Sequence, residues 1–382
     1  MKLRIAIIGA GISGLIAGYL LKKLGHKVQV FEKASSISEF GAGITLSRNA
    51  TTLLKREGIL SGLEGLSQKP MRSIIRDYKS AKEIASKDLK GLIACDRRDL
   101  VGLLSNSLLN EGGELFLSKE VTGVNSESGE LFFKNKDRIN ADLILACDGI
   151  RSITRSNNFK ESKVRFSGYI AWRGIVDSSD LSNSNYLDNI NIYYGPGGHA
   201  VHYPIGQKGK INFIAIQASP SWLEESWKIH GEKAVFLEDF KNWTEDLLRI
   251  FNASRQVYKW GIFERSQTKI LVNSKLALLG DAAHPMVPFM GQGACMAIED
   301  AYTLSKLIEK NPNDLDKTLK CYQNLRMRRV NWMQARSRLQ GKFNHISNPL
   351  LVSIRNFVTK VFISRNIEAI HSYDTDQEIA KI

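Results

Sequence analysis

The chain has 382 residues, enough for two cores rather than one, with an ordinary apolar content of 43% and charged content of 24%. Its formal net charge is +14, but Lys and Arg are spread along the whole chain. No nucleic-acid module signature accompanies them, so anionic small molecules, not nucleic acid, are the expected partners. Cys95, Cys147, Cys295 and Cys321 form no CxxC pair; neither a zinc site, any other metal site nor a disulfide framework is expected, and a reducing cytoplasm suits them.

Lys2 and Arg4 precede an apolar stretch that superficially resembles a secretory leader, but glycines break it, and no later run is long and apolar enough to span a bilayer. The same residues read better as structure. Leu3–Ile8 is an apolar run short enough for a buried parallel strand, Ser13–Leu24 reads as a helix stopped by Gly25, and Val28–Phe31 as the next strand. A βαβ unit therefore opens the chain. Thr51–Glu57 reads as a helix, Met71–Ser86 as strands, Arg97–Asn110 as a helix, Glu114–Asn140 as strands and Asp142–Ala146 as another buried strand. A β run follows: Tyr169–Val176, Ile190–Tyr194, His199–Pro204 and Ile211–Gln217. Trp222–Phe251 reads as helical, Lys275–Leu279 as a short strand, Gly293–Lys310 as a helix, and the remainder as mostly helical. The fold class is α/β: a Rossmann-like domain interleaved with a mainly antiparallel β-sheet domain, plus C-terminal helices.

Gly9-Ala10-Gly11-Ile12-Ser13-Gly14, with Gly18 continuing the spacing, follows a strand and opens a helix, the context that makes GxGxxG specific for a dinucleotide. Gly9 permits the tight turn, Gly11 lets a pyrophosphate approach the backbone, and Gly14 lets helix and sheet lie close. The helix start offers N–H donors to the phosphates. Glu32, at the end of the second strand and followed by Lys33, is the acidic residue placed to bind ribose hydroxyls.

Four further segments carry the reading on. They are Gly41-Ala42-Gly43-Ile44-Thr45-Leu46-Ser47; Asp96-Arg97-Arg98-Asp99-Leu100; Leu143 to Asp148-Gly149; and Leu276 to Gly280-Asp281-Ala282-Ala283-His284-Pro285, running on through Gly291-Gln292-Gly293-Ala294-Cys295 to Glu299-Asp300-Ala301. Together with the N-terminal motif they resemble the class A FAD-dependent aromatic monooxygenases, the group of the salicylate hydroxylases, 6-hydroxynicotinate 3-monooxygenases and FAD-dependent urate hydroxylases. The resemblance runs to about Arg338. It implies FAD contacts at Gly9, Gly11, Ser13, Gly14, Glu32, Lys33, Gly43, Ser47, Arg97, Val121, Asp148, Asp281, Gly291, Gln292, Gly293 and Ala294. It also implies NADH or NADPH as co-substrate, molecular oxygen, and oxygenation through a flavin C4a-hydroperoxide. By the same resemblance, residues 1–70, 91–165 and 270–340 form the FAD-binding domain, 71–90 and 166–269 the substrate domain, and 341–382 a C-terminal helical segment. Two departures stand out: Arg48 where relatives commonly have Pro, and Cys295 where Asn or Gly is common. Cys295 reads as packing more readily than as a redox group.

An electrophilic oxygen needs an electron-rich ring, which a base activates by removing a proton. His199, Val201 and Tyr203 alternate and share one strand face, with His202 on the other. His199 and Tyr203 are therefore the first candidates, against the alternative of a satisfied histidine and a packed aromatic. His284 either lines the pocket or caps a turn before Pro285. A small aromatic or heteroaromatic substrate leads. The same chemistry on a bulky polycyclic, antibiotic-like or isoprenoid substrate, or flavin binding without oxygenation, stand as alternatives.

Asn348-Pro349 is a helix start, and Leu350, Leu351, Ile354, Phe357, Val358, Val361 and Phe362 form an apolar stripe flanked by Arg355, Lys360 and Arg365. The stripe is expected to cover the protein's own core or a dimer partner sooner than lie on a membrane surface; monomer and homodimer both remain open.

Overall fold

A computed structural model describes residues 2–37, 42–159, 163–181, 187–206, 209–221 and 230–382. Strand Arg4–Ile8 lies inside a six-stranded sheet, between Lys27–Phe31 and Leu143–Ala146, with Glu114–Phe116 and Leu276–Leu278 beyond them. These five are parallel, and Val272–Asn273 adds an antiparallel edge. Helices Ile12–Lys23, Arg97–Asn110 and Gly293–Lys310 contribute to one core with these strands. A three-stranded meander, Val121–Asn125, Glu130–Phe133 and Arg138–Asn140, adds Leu131 and Phe133 to it. Burial from both sides explains the unbroken apolar runs of the central strands.

The second sheet has seven strands in the order Tyr258–Glu264, Arg165–Asp177, Lys210–Ala218, Gly198–Ile205, Asn189–Gly195, Arg72–Asp77 and Glu83–Asp88. All neighbours are antiparallel except Asn189–Gly195 with Arg72–Asp77. A small third sheet joins Gly43–Leu46 and Ser67–Gln68 to Ile93–Asp96.

The sequence reading needs three corrections here. Strand Tyr258–Glu264 was not expected, because Lys259 and Gly261 interrupt its alternation; it forms by pairing with Arg165–Asp177. The expected helix Trp222–Phe251 is instead two short helices, Lys233–Asp239 and Glu245–Ala253. Glu245 and Asp246 in its first turn favour the second helix, which starts after Thr244; residues 222–229 of that expectation lie outside the described residues, as does Gly41.

The third correction concerns the C-terminal helix, Pro349–His371. Asn348 caps its N-terminus through bonds from Leu350 and Leu351 N–H at 3.0 and 3.4 Å. The stripe does not cover the core: Leu350, Leu351, Ile354, Phe357, Val361 and Phe362 are exposed, and Val358 is half-buried. Arg355, Thr359, Ile363 and Ile370 turn inward instead. The Arg355 guanidinium donates to the carbonyls of Asn344 (3.1 Å) and Ile346 (3.4 Å), at the end of the preceding helix Leu315–Asn344, and lies over the Tyr194 ring. Arg48, the first residue of helix Arg48–Arg56, pairs with Glu368 and ties the other end down.

Candidate active site

The glycine motif behaves as its spacing demands. Gly9 has φ +101°, and a Cβ there would sit 2.5 Å from the Cys147 carbonyl oxygen; one on Gly14 would sit 2.0 Å from the Gly9 oxygen. Gly11, by contrast, faces open space, as does Gly293. The Glu32 carboxylate lies beside this turn, accepting from Ala10 N–H and Ala34 N–H at 2.9 Å each. Lys33 is exposed, and Val121 opens the meander strand opposite Phe133. Two buried oxygens nearby, Ser13 Oγ and Asp148 Oδ1, have no hydrogen-bond partner, while Asp148 Oδ2 accepts from Thr154 N–H at 3.3 Å. Burial raises the pKa of Asp148. Asp281 is solvent-accessible yet recessed; desolvation raises its pKa, against the opposing charges of His284 and Arg97.

A buried charge cluster sets the Gly280-Asp281 turn. Asp300 accepts from Gly280 N–H at 2.8 Å, from His284 and from Arg326 Nε at 2.7 Å. Burial works against its ionisation, but His284 and Arg326 hold its pKa below the usual carboxylate value. Glu299 pairs with Arg326 at 2.8 Å and Arg329 at 3.0 Å. Arg326 and Arg329 are therefore core residues, not part of a solvated basic face. His284 is 1% exposed and does not line the cavity described below. Its ring is held by Asp300.

Glu299 also reaches the turn before helix Gly293–Lys310. Asn49 Nδ2 donates to Glu299 at 2.7 Å and to Gln292 Oε1 at 3.2 Å, and Gln292 Nε2 donates to Ser47 Oγ at 2.9 Å. Gly291 is left-handed at φ +62°. Gly43 N–H donates to Asn212 Oδ1 of the second sheet at 2.8 Å. Cys295 is fully buried, and burial pushes its thiol up to about 11, in keeping with packing. Ala294 is half-buried.

Between the Pro288–Gln292 turn and the second sheet lies a cavity of about 430 Å³. His199, Val201 and Tyr203 line it from one strand face, as alternation required, and His202 does not. Ile75, Ile190, Ile192, Ile214, Ile216 and Leu92 make the sheet side aliphatic, and Phe289 completes it from the turn. The remaining wall was not foreseen: Arg336, Gln340, Phe343 and Asn344 come from helix Leu315–Asn344, and Val358, Thr359, Ile363 and Ile367 from helix Pro349–His371. His345, which does not line the cavity, was not foreseen either; its Nε2 lies 2.7 Å from His199 Nδ1 in a stack with ring centroids 5.0 Å apart. Nothing in local sequence pairs residues so far apart. Burial lowers the pKa of His199 well below its ordinary value, with His345 adding to the effect, and pushes His345 itself to about 4. Burial also raises the pKa of Tyr203.

The FAD binding domain family matches residues 2–337. The chain belongs to that family. It is 30% identical over 357 residues to 3-amino-4-hydroxybenzoate 2-monooxygenase of Streptomyces platensis, covering 90% of this chain and 89% of the relative. It is 28% identical over 347 residues to 6-hydroxynicotinate 3-monooxygenase of Bordetella bronchiseptica (87% and 90%), and 29% over 378 residues to aurachin C monooxygenase/isomerase of Stigmatella aurantiaca (96% of each). A salicylate hydroxylase substrate complex shares the fold at a TM-score of 0.85, with 24% identity over 99% of this chain and 97% of that one. This member of the FAD-binding family is an FAD-dependent monooxygenase that uses NADH or NADPH and molecular oxygen. The flavoprotein fold accommodates the dinucleotide: the spaces at Gly11 and Gly293 are open, and Ser13 Oγ and Asp148 Oδ1 are unpartnered. No helix among the described residues is long and apolar enough to cross a membrane.

Acid should weaken this fold. Burial lowers the pKa of His202 to about 3 and of His345 and His371 to about 4, from 6.5. Below pH 6.5 the unfolded chain binds protons that these rings refuse. Stability is therefore expected to fall as pH drops from 6.5 towards 4, by up to about 1.4 kcal/mol per pH unit for each ring. Urea denaturation across that range measures the slope, and His202→Gln should make it shallower.

Proposed function

We propose that the protein hydroxylates an electron-rich aromatic or heteroaromatic ring in the cavity above the Pro288–Gln292 turn, with His199 as the group that removes a ring hydroxyl or amino proton. The observation that carries this reading is His199, which lines a largely apolar cavity beside the Pro288–Gln292 turn and is hydrogen-bonded to His345 outside that lining. Bound FAD supplies hydride acceptance from NAD(P)H and activation of oxygen. The chain's own residues do the rest. With the shared proton on His199 Nδ1, its Nε2 keeps a lone pair and can take the substrate proton, while His345 fixes the tautomer. Tyr203, on the same face, orients the ring. The Gly293–Lys310 helix start directs N–H groups and its positive dipole end towards developing negative charge. The aliphatic sheet excludes water.

Gly9, Gly11, Ser13, Gly14, Glu32, Lys33, Gly43, Ser47, Arg97, Val121, Asp148, Asp281, Gly291, Gln292, Gly293 and Ala294 are proposed to hold FAD. Residues 1–70, 91–165 and 270–340 are proposed as its domain, 71–90 and 166–269 as the substrate domain, and 341–382 as a C-terminal segment that closes the cavity. A cytoplasmic location and a monomer or homodimer complete the proposal. A second reading, a bulkier lipophilic ring compound, is favoured by the aliphatic lining, in which Arg336 is the charged side chain present.

The dinucleotide site is tested by two glycine variants. Gly11→Val enters open space, so folding should be kept while FAD affinity falls about tenfold to hundredfold. Gly14→Ala meets the Gly9 carbonyl and should lower the thermal midpoint of the apoprotein. Equal FAD affinity in Gly11→Val and the parent, by flavin fluorescence titration, would refute the placement. The reaction is tested by NADH and NADPH oxidation with phenolic acids, hydroxypyridines and polycyclic phenols: acceleration with a matching amount of oxygenated product supports it, and peroxide alone from every compound counts against it.

A further inference from the structure

Helix Pro349–His371 separates two environments. Ile363 and Ile370 on its inner side are buried, and both line the cavity. On its outer side Leu350, Ile354, Phe357 and Val361 follow one another at i, i+4, i+7 and i+11, and are 79%, 59%, 69% and 53% exposed. A helix that buries one side, Ile363 and Ile370 included, and exposes an apolar stripe on the other suits a place between a protein interior and a second apolar phase, and a contiguous exposed stripe of this kind marks an interaction surface.

Charge decides which phase. No Asp or Glu stands between Asp316 and Glu368 in the sequence, and Glu368 is paired with Arg48. Lys342, Lys360 and Arg365 are exposed and pair with no carboxylate among the described residues. A second copy packed on this stripe about a twofold axis would bring the same uncompensated cations together. Anionic headgroups complement them, and the apolar stripe fits the boundary between headgroups and acyl chains.

We propose that the outer face of this helix docks the enzyme onto an anionic lipid surface. The inner face lines the cavity, so docking sets the cavity about one helix diameter, roughly 10 Å, from the lipid. A lipophilic ring compound dissolved in the bilayer then has a short path to His199. Docking depends on the surface alone; delivery of substrate rests also on the proposed ring hydroxylation.

The test floats the FAD-loaded full-length protein with vesicles of phosphatidylcholine, alone or with about one third phosphatidylglycerol. The protein should rise with the anionic vesicles, and less so as salt is raised. Ile354→Glu with Phe357→Glu should cut the bound fraction about tenfold or more. Flavin content and vesicle-free NADH oxidation should stay unchanged, because neither residue lines the cavity. Absence of flotation with anionic vesicles, or equal flotation of the double variant, overturns the proposal. A solution dimer that the double variant splits assigns the stripe to a second copy and equally overturns it. A protein that floats but oxygenates no ring compound leaves docking standing and removes the catalytic reading.

Discussion

Arg326→Met is expected to cost about 3–5 kcal/mol of stability and to loosen flavin retention. Arg326 is fully buried, with its guanidinium on both Asp300 (2.7 Å) and Glu299 (2.8 Å). Methionine fills much of the volume but leaves one carboxylate charge in excess, where desolvation is severe. Asp300 also accepts from Gly280 N–H, so its displacement shifts the Gly280-Asp281 turn. The loss should therefore appear twice, as a lower urea midpoint of the apoprotein and as faster release of FAD from the holoprotein. Arg326→Lys should not restore either, because one ammonium cannot match two carboxylates with a fork of fixed geometry. A midpoint within about 1 kcal/mol of the parent would show that the cluster does not hold the turn.

His199→Asn is expected to lower the turnover of ring hydroxylation by about 10²–10⁴-fold, while FAD content and NAD(P)H oxidation without substrate stay near the parent values. Asparagine keeps polarity and approximate size but has no basic lone pair. The partner variant His345→Gln carries a sharper signature. His345 adds to the lowering of the His199 pKa. A base must be unprotonated, so activity is lost as pH falls through that pKa. Removing His345 raises it, and the acid limb of the turnover profile should move to higher pH. A parent-like profile in His345→Gln would remove His345 from the mechanism, and parent-like turnover in His199→Asn would remove the base.

The sequence by itself determined the dinucleotide fold and the class of chemistry. The spacing of Gly9, Gly11 and Gly14 has a meaning only between a strand and a helix, because each position is set by a local close approach, such as the 2.0 Å that a Cβ on Gly14 would leave to Gly9. Strand alternation likewise fixed the shared face of His199, Val201 and Tyr203, since period two is a property of the backbone. Only the tertiary structure decided which residue pairs with His199 and what closes the cavity. His345 reaches His199 because Arg355 holds the end of helix Leu315–Asn344 against the next helix, a contact with no local signal. His284 contacts buried Asp300 and does not line the cavity, a placement set by residues far apart in the chain. Helix Pro349–His371 was legible as amphipathic but not as two-faced. Periodicity reveals an apolar stripe, whereas burial of Arg355 and Thr359 and exposure of Phe357 depend on which side the rest of the fold happens to cover.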